Sequence, residues 1–168
     1  MSIRVMKLVL FALVLLSSAV SSNCEVIFYL DDDLKALQTI LGDWNQTTPS
    51  VSTILPGWRT SNQTAYPCFS EAWKGVLCGQ YAIPNSTNRW SVVVGLILDD
   101  ASIVGTLTPA IGDLTNLVIL SLTNNPGLTG PIPTEINNLA VLQILDLHDN
   151  NFNGTIPDLT GLGNLQEL

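Results

Sequence analysis

The chain has 168 residues, with 6 Lys and Arg against 14 Asp and Glu, which gives a formal net charge of −8. Hydrophobic residues make up 46% of the sequence, too many for a disordered chain, and charged residues only 12%, compared with roughly 25% in an average globular protein. An acidic surface repels nucleic acid and anionic lipid, so neither is an expected partner. The length and composition therefore predict about one folded domain with a surface of mostly uncharged polar groups.

The first segment, residues 1–22, has the pattern of a secretory signal peptide. Arg4 and Lys7 supply its positive charge, and residues 8–16 form an unbroken apolar run,. A membrane anchor is the alternative, but it needs about 20 apolar residues. We therefore expect a protein that is secreted or lies on the extracellular side of the plasma membrane, attached to a membrane only through a segment absent from this chain.

Four Asn-x-Ser/Thr sequences follow the leader, at Asn45, Asn62, Asn85 and Asn153. In a secreted chain each is an acceptor for an N-linked glycan, and an unmodified polar loop is the alternative for any single one. Attached sugars would also keep soluble a surface that has so few charges. The sequence thus predicts a glycoprotein.

The chain has 3 cysteines, Cys24, Cys68 and Cys78. An oxidising compartment favours disulfides, and the short spacing of Cys68 and Cys78 favours that pair. A zinc site needs four ligands, and because the single histidine, His148, lies in another segment, no metal is expected. Cys24 can stay free, pair with another chain or compete with Cys78 for Cys68.

A repeat of about 24 residues occupies the chain beyond residue 92. Leu98, Leu122 and Leu147 are equivalent positions within the pattern Leu-x-x-Leu-x-Leu-x-x-Asn-x-Leu, the signature of a leucine-rich repeat,. The leucines alternate along a short strand and point inward, and the side chains of Asn125 and Asn150 can bond backbone groups of neighbouring coils. Because one unit cannot bury its own apolar face, such units stack into a solenoid.

The end of each unit identifies a subclass. Residues 128–133 read Leu-x-Gly-x-Ile-Pro, and residues 152–157 repeat this ending with Phe in the first place; both resemble the plant-specific leucine-rich repeats. Residues 68–78 look like the cap motif of that family, Cys-x(n)-Trp-x-Gly-Val-x-Cys. Before them come residues at helical spacing: Leu34, Leu37, Ile40 or Leu41, and Trp44,.

The resemblance implies an α/β fold. We expect a leucine-rich-repeat solenoid with a parallel β-sheet on its concave face and a helical, disulfide-bonded N-terminal cap. The expected boundaries are a signal peptide at 1–22, the cap at 23–92 and the repeats at 93–168. About two repeats would be complete and a third or fourth truncated, which predicts that the chain is a fragment of a longer protein.

Four tryptophans, Trp44, Trp58, Trp73 and Trp90, fall in or near the cap. They could form a platform on which sugars stack. Their helical and cap contexts favour a second interpretation, in which they cover the open apolar end of the first coil. We expect core side chains rather than a sugar site.

Proteins that share this cap and these repeats include the extracellular domains of receptor-like kinases and receptor-like proteins, and polygalacturonase-inhibiting proteins. The resemblance implies a ligand-recognition module, the N-terminal part of a receptor ectodomain, whose partner is a peptide or protein ligand or a co-receptor. A secreted inhibitor of a cell-wall hydrolase is the alternative, although the cap has only Cys68 where inhibitor-type caps carry two cysteines. Without a serine elbow, phosphate loop, dinucleotide motif or kinase signature, neither an enzyme nor a cofactor is expected.

Stacked repeats place outward side chains in columns, since parallel strands lie about 4.8 Å apart. The expected columns are Ile97, Ser121 and Asp146; Asp99, Thr123 and His148; and Asp100, Asn124 and Asp149. Solenoids commonly bind on this concave face. The candidate ligand-binding residues are therefore Asp99, Asp100, Ser121, Thr123, Asp146, His148 and Asp149, an acidic patch suited to a partner with basic or polar groups. A solvated face without a ligand is the alternative.

Overall fold

The computed structural model describes residues 27–29, 31–48, 51–58, 67–68, 73–82 and 89–168. The predicted signal peptide at 1–22, Cys24 and the sequons at Asn62 and Asn85 lie outside the described residues, as does the side chain of Asn45. The elements in chain order are β1 (Ile27–Tyr29), α1 (Asp31–Thr47), α2 (Val51–Ile54), β2 (Val76–Ala82), β3 (Arg89–Ile97), β4 (Val104–Thr106), the 3-10 helix η1 (Pro109–Asp113), β5 (Ile119–Ser121), β6 (Gly127–Gly130), the 3-10 helix η2 (Thr134–Asn138), β7 (Ile144–Asp146) and β8 (Asn151–Phe152). Within these ranges no helix has the length and apolar character needed to cross a membrane.

Helix α1 buries one apolar face, as its helical spacing predicts. The buried residues of this face are Ala36, Leu37, Ile40, Leu41 and Trp44. The first turn is acidic, which suits a helix N-terminus, yet Asp33 is only 4% exposed and accepts a hydrogen bond from the Val93 N–H at 2.8 Å. At the other end Trp44 Nε1 donates to Thr106 O at 2.9 Å. The helix is thus tied to β3 near its start and to β4 near its end.

The main sheet carries the predicted parallel ladder. Strands β3, β5 and β7 are parallel neighbours, β2 runs antiparallel along β3, and β1 pairs with the beginning of β3. The register places Leu96, Leu120 and Leu145 side by side, and all three are buried. A bridge between Ile144 and Glu167 continues the ladder. We call β2, β3, β5 and β7 the concave sheet.

A second sheet, β4-β6-β8, is parallel throughout and was not anticipated from the sequence. Its strands are two to four residues long, too short for alternation to reveal them, and they pair only because the coils stack. Gly127 begins β6. Gly105, Gly130 and Gly154 have φ of 137°, 78° and 85°, so the glycine of each unit adopts a backbone conformation that favours glycine.

The predicted asparagine ladder links the coils. Asn125 is fully buried, and its Nδ2 donates to Leu98 O at 2.8 Å and Leu122 O at 2.9 Å while its Oδ1 accepts from the Ile103 N–H at 3.0 Å. Asn150 Oδ1 in turn accepts from the Asn125 N–H at 3.0 Å. One hydrophobic core extends from α1 through the repeats. The solenoid is therefore held by stacked apolar side chains and by amides that satisfy backbone groups of adjacent coils.

The cap has the predicted disulfide between Cys68 and Cys78. Trp44, Trp58 and Trp73 are buried and form a row, with ring centroids 6.2 Å and 5.0 Å apart. Trp58 Nε1 donates to the Lys74 carbonyl at 2.8 Å. These three tryptophans are core residues of the cap, so their ring faces are not open to a stacking sugar.

Candidate ligand-binding face

The predicted columns follow the register of the concave sheet. Ile97, Ser121 and Asp146 are direct partners in the pairing of β3, β5 and β7. Beyond these strands the ladder continues, because the Asp100 N–H donates to Thr123 O at 3.0 Å and the Asn124 N–H to His148 O at 3.1 Å. The seven candidate residues thus lie at the carboxyl ends of three neighbouring strands, and two of them, Ser121 and Thr123, are only 8% and 9% exposed.

Asp99 is engaged within this face. Its Oδ1 accepts hydrogen bonds from Ser121 Oγ at 2.6 Å and from the Thr123 N–H at 2.9 Å. Desolvation would raise the pKa of Asp99, but these hydrogen bonds outweigh it and hold the pKa below its ordinary value,. Asp99 therefore stays ionised and joins the first coil to the second.

The outermost column has a backbone function. Asp100, Asn124 and Asp149 have φ of 51°, 53° and 55°, a left-handed conformation that Asp and Asn adopt more readily than most residues. Asn124 Nδ2 also donates to Asp100 Oδ1. The turn after each strand accounts for the residue type at these three positions without any ligand.

His148 lies between two carboxylates. Its Nδ1 is 2.5 Å from Asp146 Oδ1, and its Nε2 is 3.7 Å from Asp149 Oδ2. The hydrogen bond to Asp146, together with the negative charges of Asp146, Asp149 and Asp99, raises the pKa of His148 above its ordinary value,. The imidazole side chain is 64% exposed, so a ligand can reach this cluster.

A further row of the same face was missed in the sequence. Gly95, Ile119 and Ile144 are direct partners in the register, and Leu77 of β2 pairs with Gly95. Ile119 and Ile144 stand two residues before Ser121 and Asp146, so strand alternation places them on the same side. A strict period-two analysis of each strand would have found them. We call Leu77, Gly95, Ile119 and Ile144 the apolar row.

We also searched the described residues for a metal-binding site. Among the residues that the structure describes, no group of three or more His, Cys, Asp and Glu side chains could hold a metal ion.

Two family models match the chain. The leucine-rich-repeat N-terminal domain matches residues 30–79, and the leucine-rich repeat matches residues 141–162. A leucine-rich repeat receptor-like protein kinase of Arabidopsis thaliana is 45% identical over 156 residues, which is 93% of this chain and 13% of that protein. The chain belongs to the plant leucine-rich-repeat proteins. It spans only 8% to 13% of the length of the curated relatives that it matches.

Solved structures show the same architecture. The leucine-rich-repeat ectodomain of the receptor kinase SOBIR1 from A. thaliana has a TM-score of 0.60 and 27% identity, covering 84% of this chain and 70% of that one. The ectodomain of the A. thaliana receptor kinase GASSHO1/SCHENGEN3, in complex with Casparian Strip Integrity Factor 2, has a TM-score of 0.54 and 28% identity, covering 77% of this chain and 14% of that one. This leucine-rich-repeat ectodomain fold is typically non-catalytic.

Proposed function

We propose that this leucine-rich-repeat chain is the N-terminal part of an extracellular receptor domain that recognises a peptide or protein ligand, or a co-receptor, on its concave sheet. It performs no catalysis of its own. The observation that carries the proposal is the row-by-row stacking of outward polar side chains on β3, β5 and β7, with Asp146 and His148 at its exposed end. The receptor ectodomains with the same fold support it.

The shape of the face favours an extended partner. Its polar side chains repeat at the spacing of the strands, about 4.8 Å, so a polypeptide that crosses the strands meets one coil after another. Asp99 already accepts hydrogen bonds from the Ser121 hydroxyl and the Thr123 N–H, which keeps the Asp99 and Ser121 side chains in place before a ligand arrives. A preorganised face loses less conformational entropy on binding. Nothing in the fold or in the likenesses favours the hydrolase-inhibitor alternative.

The same proposal covers the processing of the chain. Residues 1–22 are removed on export, residues 23–92 form the cap and residues 93–168 the repeats. Asn153 is exposed and precedes Gly154 and Thr155 in a sequon, which suits attachment of a glycan. Asn153 follows β8 of the second sheet, and its N–H donates to Gly130 O at 2.9 Å. A glycan there leaves the concave sheet open.

Peptide selection tests the function. The full secreted chain, immobilised with its disulfide intact, is offered a random peptide library displayed on phage, and we expect enrichment of peptides that compete with one another. The double variant Asp146→Ala, His148→Ala should lose these peptides by about tenfold or more, the effect of ~1.4 kcal/mol. The control Thr129→Ala, exposed on β6, should keep them. Failure to enrich, or equal binding to the double variant, would refute the proposal.

A further inference from the structure

The outward face of the concave sheet has an apolar part beside its polar part. Leu77 is 45% exposed, and its side chain covers the place where Gly95 has none, since a Cβ on Gly95 would lie 3.0 Å from Leu77 Cβ. Ile119 and Ile144 continue the apolar row, each half-buried. Tyr81, four residues after Leu77 on β2, is 54% exposed and extends the apolar part of this face along that strand,. A contiguous apolar patch that solvent still reaches and that polar residues border marks a contact surface.

The charge of the repeats is one-sided. The last basic residue of the sequence is Arg89, and 8 of the 14 acidic residues follow it. These are Asp99, Asp100, Asp113, Glu135, Asp146, Asp149, Asp158 and Glu167. Only His148 can offset them. The repeats therefore carry a negative potential that their own side chains do not balance, and such a potential attracts cationic partners.

The two features lie side by side. The apolar row is two residues upstream of Ser121 and Asp146 on β5 and β7, so the carboxylate of Asp146 stands next to Ile144 on the same face of one strand,. Glu167 pairs with Ile144 at the end of the row. From β2 to β7 the apolar row crosses three strand spacings, about 14 Å. An extended peptide covers that length with about four residues.

We propose that the ligand segment bound by this face is an extended, amphipathic and cationic peptide. Its aliphatic side chains lie on Leu77, Ile119 and Ile144, and its Lys or Arg side chains lie beside Asp146 and Asp149. This inference rests on the proposed function and adds the chemistry of the partner. It commits to a polypeptide because only alternating side chains at a spacing of about 3.3 Å per residue can meet both rows at once.

Three pools of synthetic peptides of about eight residues, enough to span the row at ~3.3 Å per residue, test this chemistry. The first pool alternates Leu, Ile or Val with Lys or Arg. The second replaces the aliphatic residues with Ser, and the third replaces Lys and Arg with Asp and Glu. Affinity for the full chain is measured by fluorescence anisotropy at low ionic strength. We expect the first pool to bind about tenfold or more tightly than either of the others.

Variants assign the binding to the two rows. Leu77→Ser and Asp146→Asn should each weaken the first pool by about fivefold, a loss of ~1 kcal/mol. The matched controls are Val104→Thr, 38% exposed on β4, and Asp113→Asn, exposed in η1, and neither should change the affinity. Thermal unfolding verifies that each variant folds. Should Leu77→Ser not fold, Ile144→Thr replaces it.

The outcomes separate the two proposals. Equal binding of the second pool overturns the role of the apolar row, and equal binding of the third overturns the role of the carboxylates; either result, or an equal loss in the control variants, ends the inference. If no pool binds while the phage-selected peptides do, the inference fails and the proposed function stands. If neither experiment finds a binding peptide, both fail.

Discussion

The buried amide of Asn125 gives the sharpest test of how the repeats are held together. Replacing it with alanine removes the donor to Leu98 O and the acceptor for the Ile103 N–H. Leu122 O keeps a second donor, Asn150 Nδ2 at 2.9 Å. Because Ala101 occupies the asparagine position of the first coil, no amide of that coil can take over. The substitution therefore leaves two backbone groups unsatisfied.

The magnitude follows from these two groups. An unpaired buried donor or acceptor costs about 1–3 kcal/mol, and Asn125 is 0% exposed, so water does not reach it without opening the coil. We expect Asn125→Ala to lower the free energy of unfolding by about 4 kcal/mol, near the middle of the combined range. Asn150→Ala, at a half-buried position, should cost less, about 1–2 kcal/mol. Asn138→Ala, at an exposed position, should cost less than about 0.5 kcal/mol.

Urea unfolding followed by circular dichroism, with the disulfide intact, measures the three variants. The urea concentration at the unfolding midpoint should be highest for Asn138→Ala, lower for Asn150→Ala and lowest for Asn125→Ala. The slope of the unfolding free energy against urea concentration should stay constant, since the same surface is exposed on unfolding. A loss below about 1 kcal/mol for Asn125→Ala would contradict the reasoning. So would a larger loss for Asn150→Ala than for Asn125→Ala.

Three further predictions concern packing and charge. A Cβ on Gly112 would lie 2.4 Å from Glu135 O, so Gly112→Ala should lower the unfolding free energy by about 1–3 kcal/mol. Gly42→Ala, in helix α1 with nothing within 4 Å, should raise it by about 0.5–1 kcal/mol; a loss at both sites in urea unfolding would refute this account. Burial, only partly offset by a backbone hydrogen bond, raises the pKa of Asp33 from 3.8 to about 6. The stability that Asp33 contributes is therefore full below about pH 4 and is lost as the pH rises through about 6, by no more than about 3 kcal/mol. The difference in unfolding free energy between the wild-type chain and Asp33→Asn should follow this curve, and a difference that does not vary with pH would contradict it. Protonation of His148, whose pKa is raised mainly by a hydrogen bond to a neighbouring carboxylate, partly neutralises the acidic cluster. The amphipathic cationic peptides should therefore bind more weakly at about pH 5 than at about pH 8. Fluorescence anisotropy measures this difference, and equal binding at the two pH values would count against it.

Much of the fold could be predicted from the repeat period of the sequence. Leu98, Leu122 and Leu147 recur at a spacing that fixes which residues become neighbours once the coils stack, so the parallel ladder and the asparagine bonds could be predicted from the sequence,. The apolar face of α1 and the disulfide followed from helical spacing and cysteine chemistry. In each case the signal was local or was repeated at matched positions.

Other features depend on contacts that no local pattern records. The β4-β6-β8 sheet has strands too short to alternate visibly, and its pairs form between coils rather than within them. Asp33 looked like an ordinary first-turn carboxylate, yet it is buried against β3 through a bond to Val93, a contact between residues 60 positions apart. Sequence spacing cannot reveal a partner that far away, so both features needed the assembled fold.

The apolar row changes which of the acidic residues matter for binding. Asp100 and Asp149 occupy left-handed turn positions, where the short polar side chain is explained by the backbone,. Asp99 is taken up by Ser121 and Thr123. Asp146, by contrast, lies within a strand, 40% exposed and beside Ile144, and its carboxylate bonds His148 of its own coil rather than a neighbouring coil. A selective effect of Asp146→Asn on cationic, amphipathic peptides would therefore report recognition rather than folding, which is why this residue rather than the more numerous turn carboxylates is the one to change.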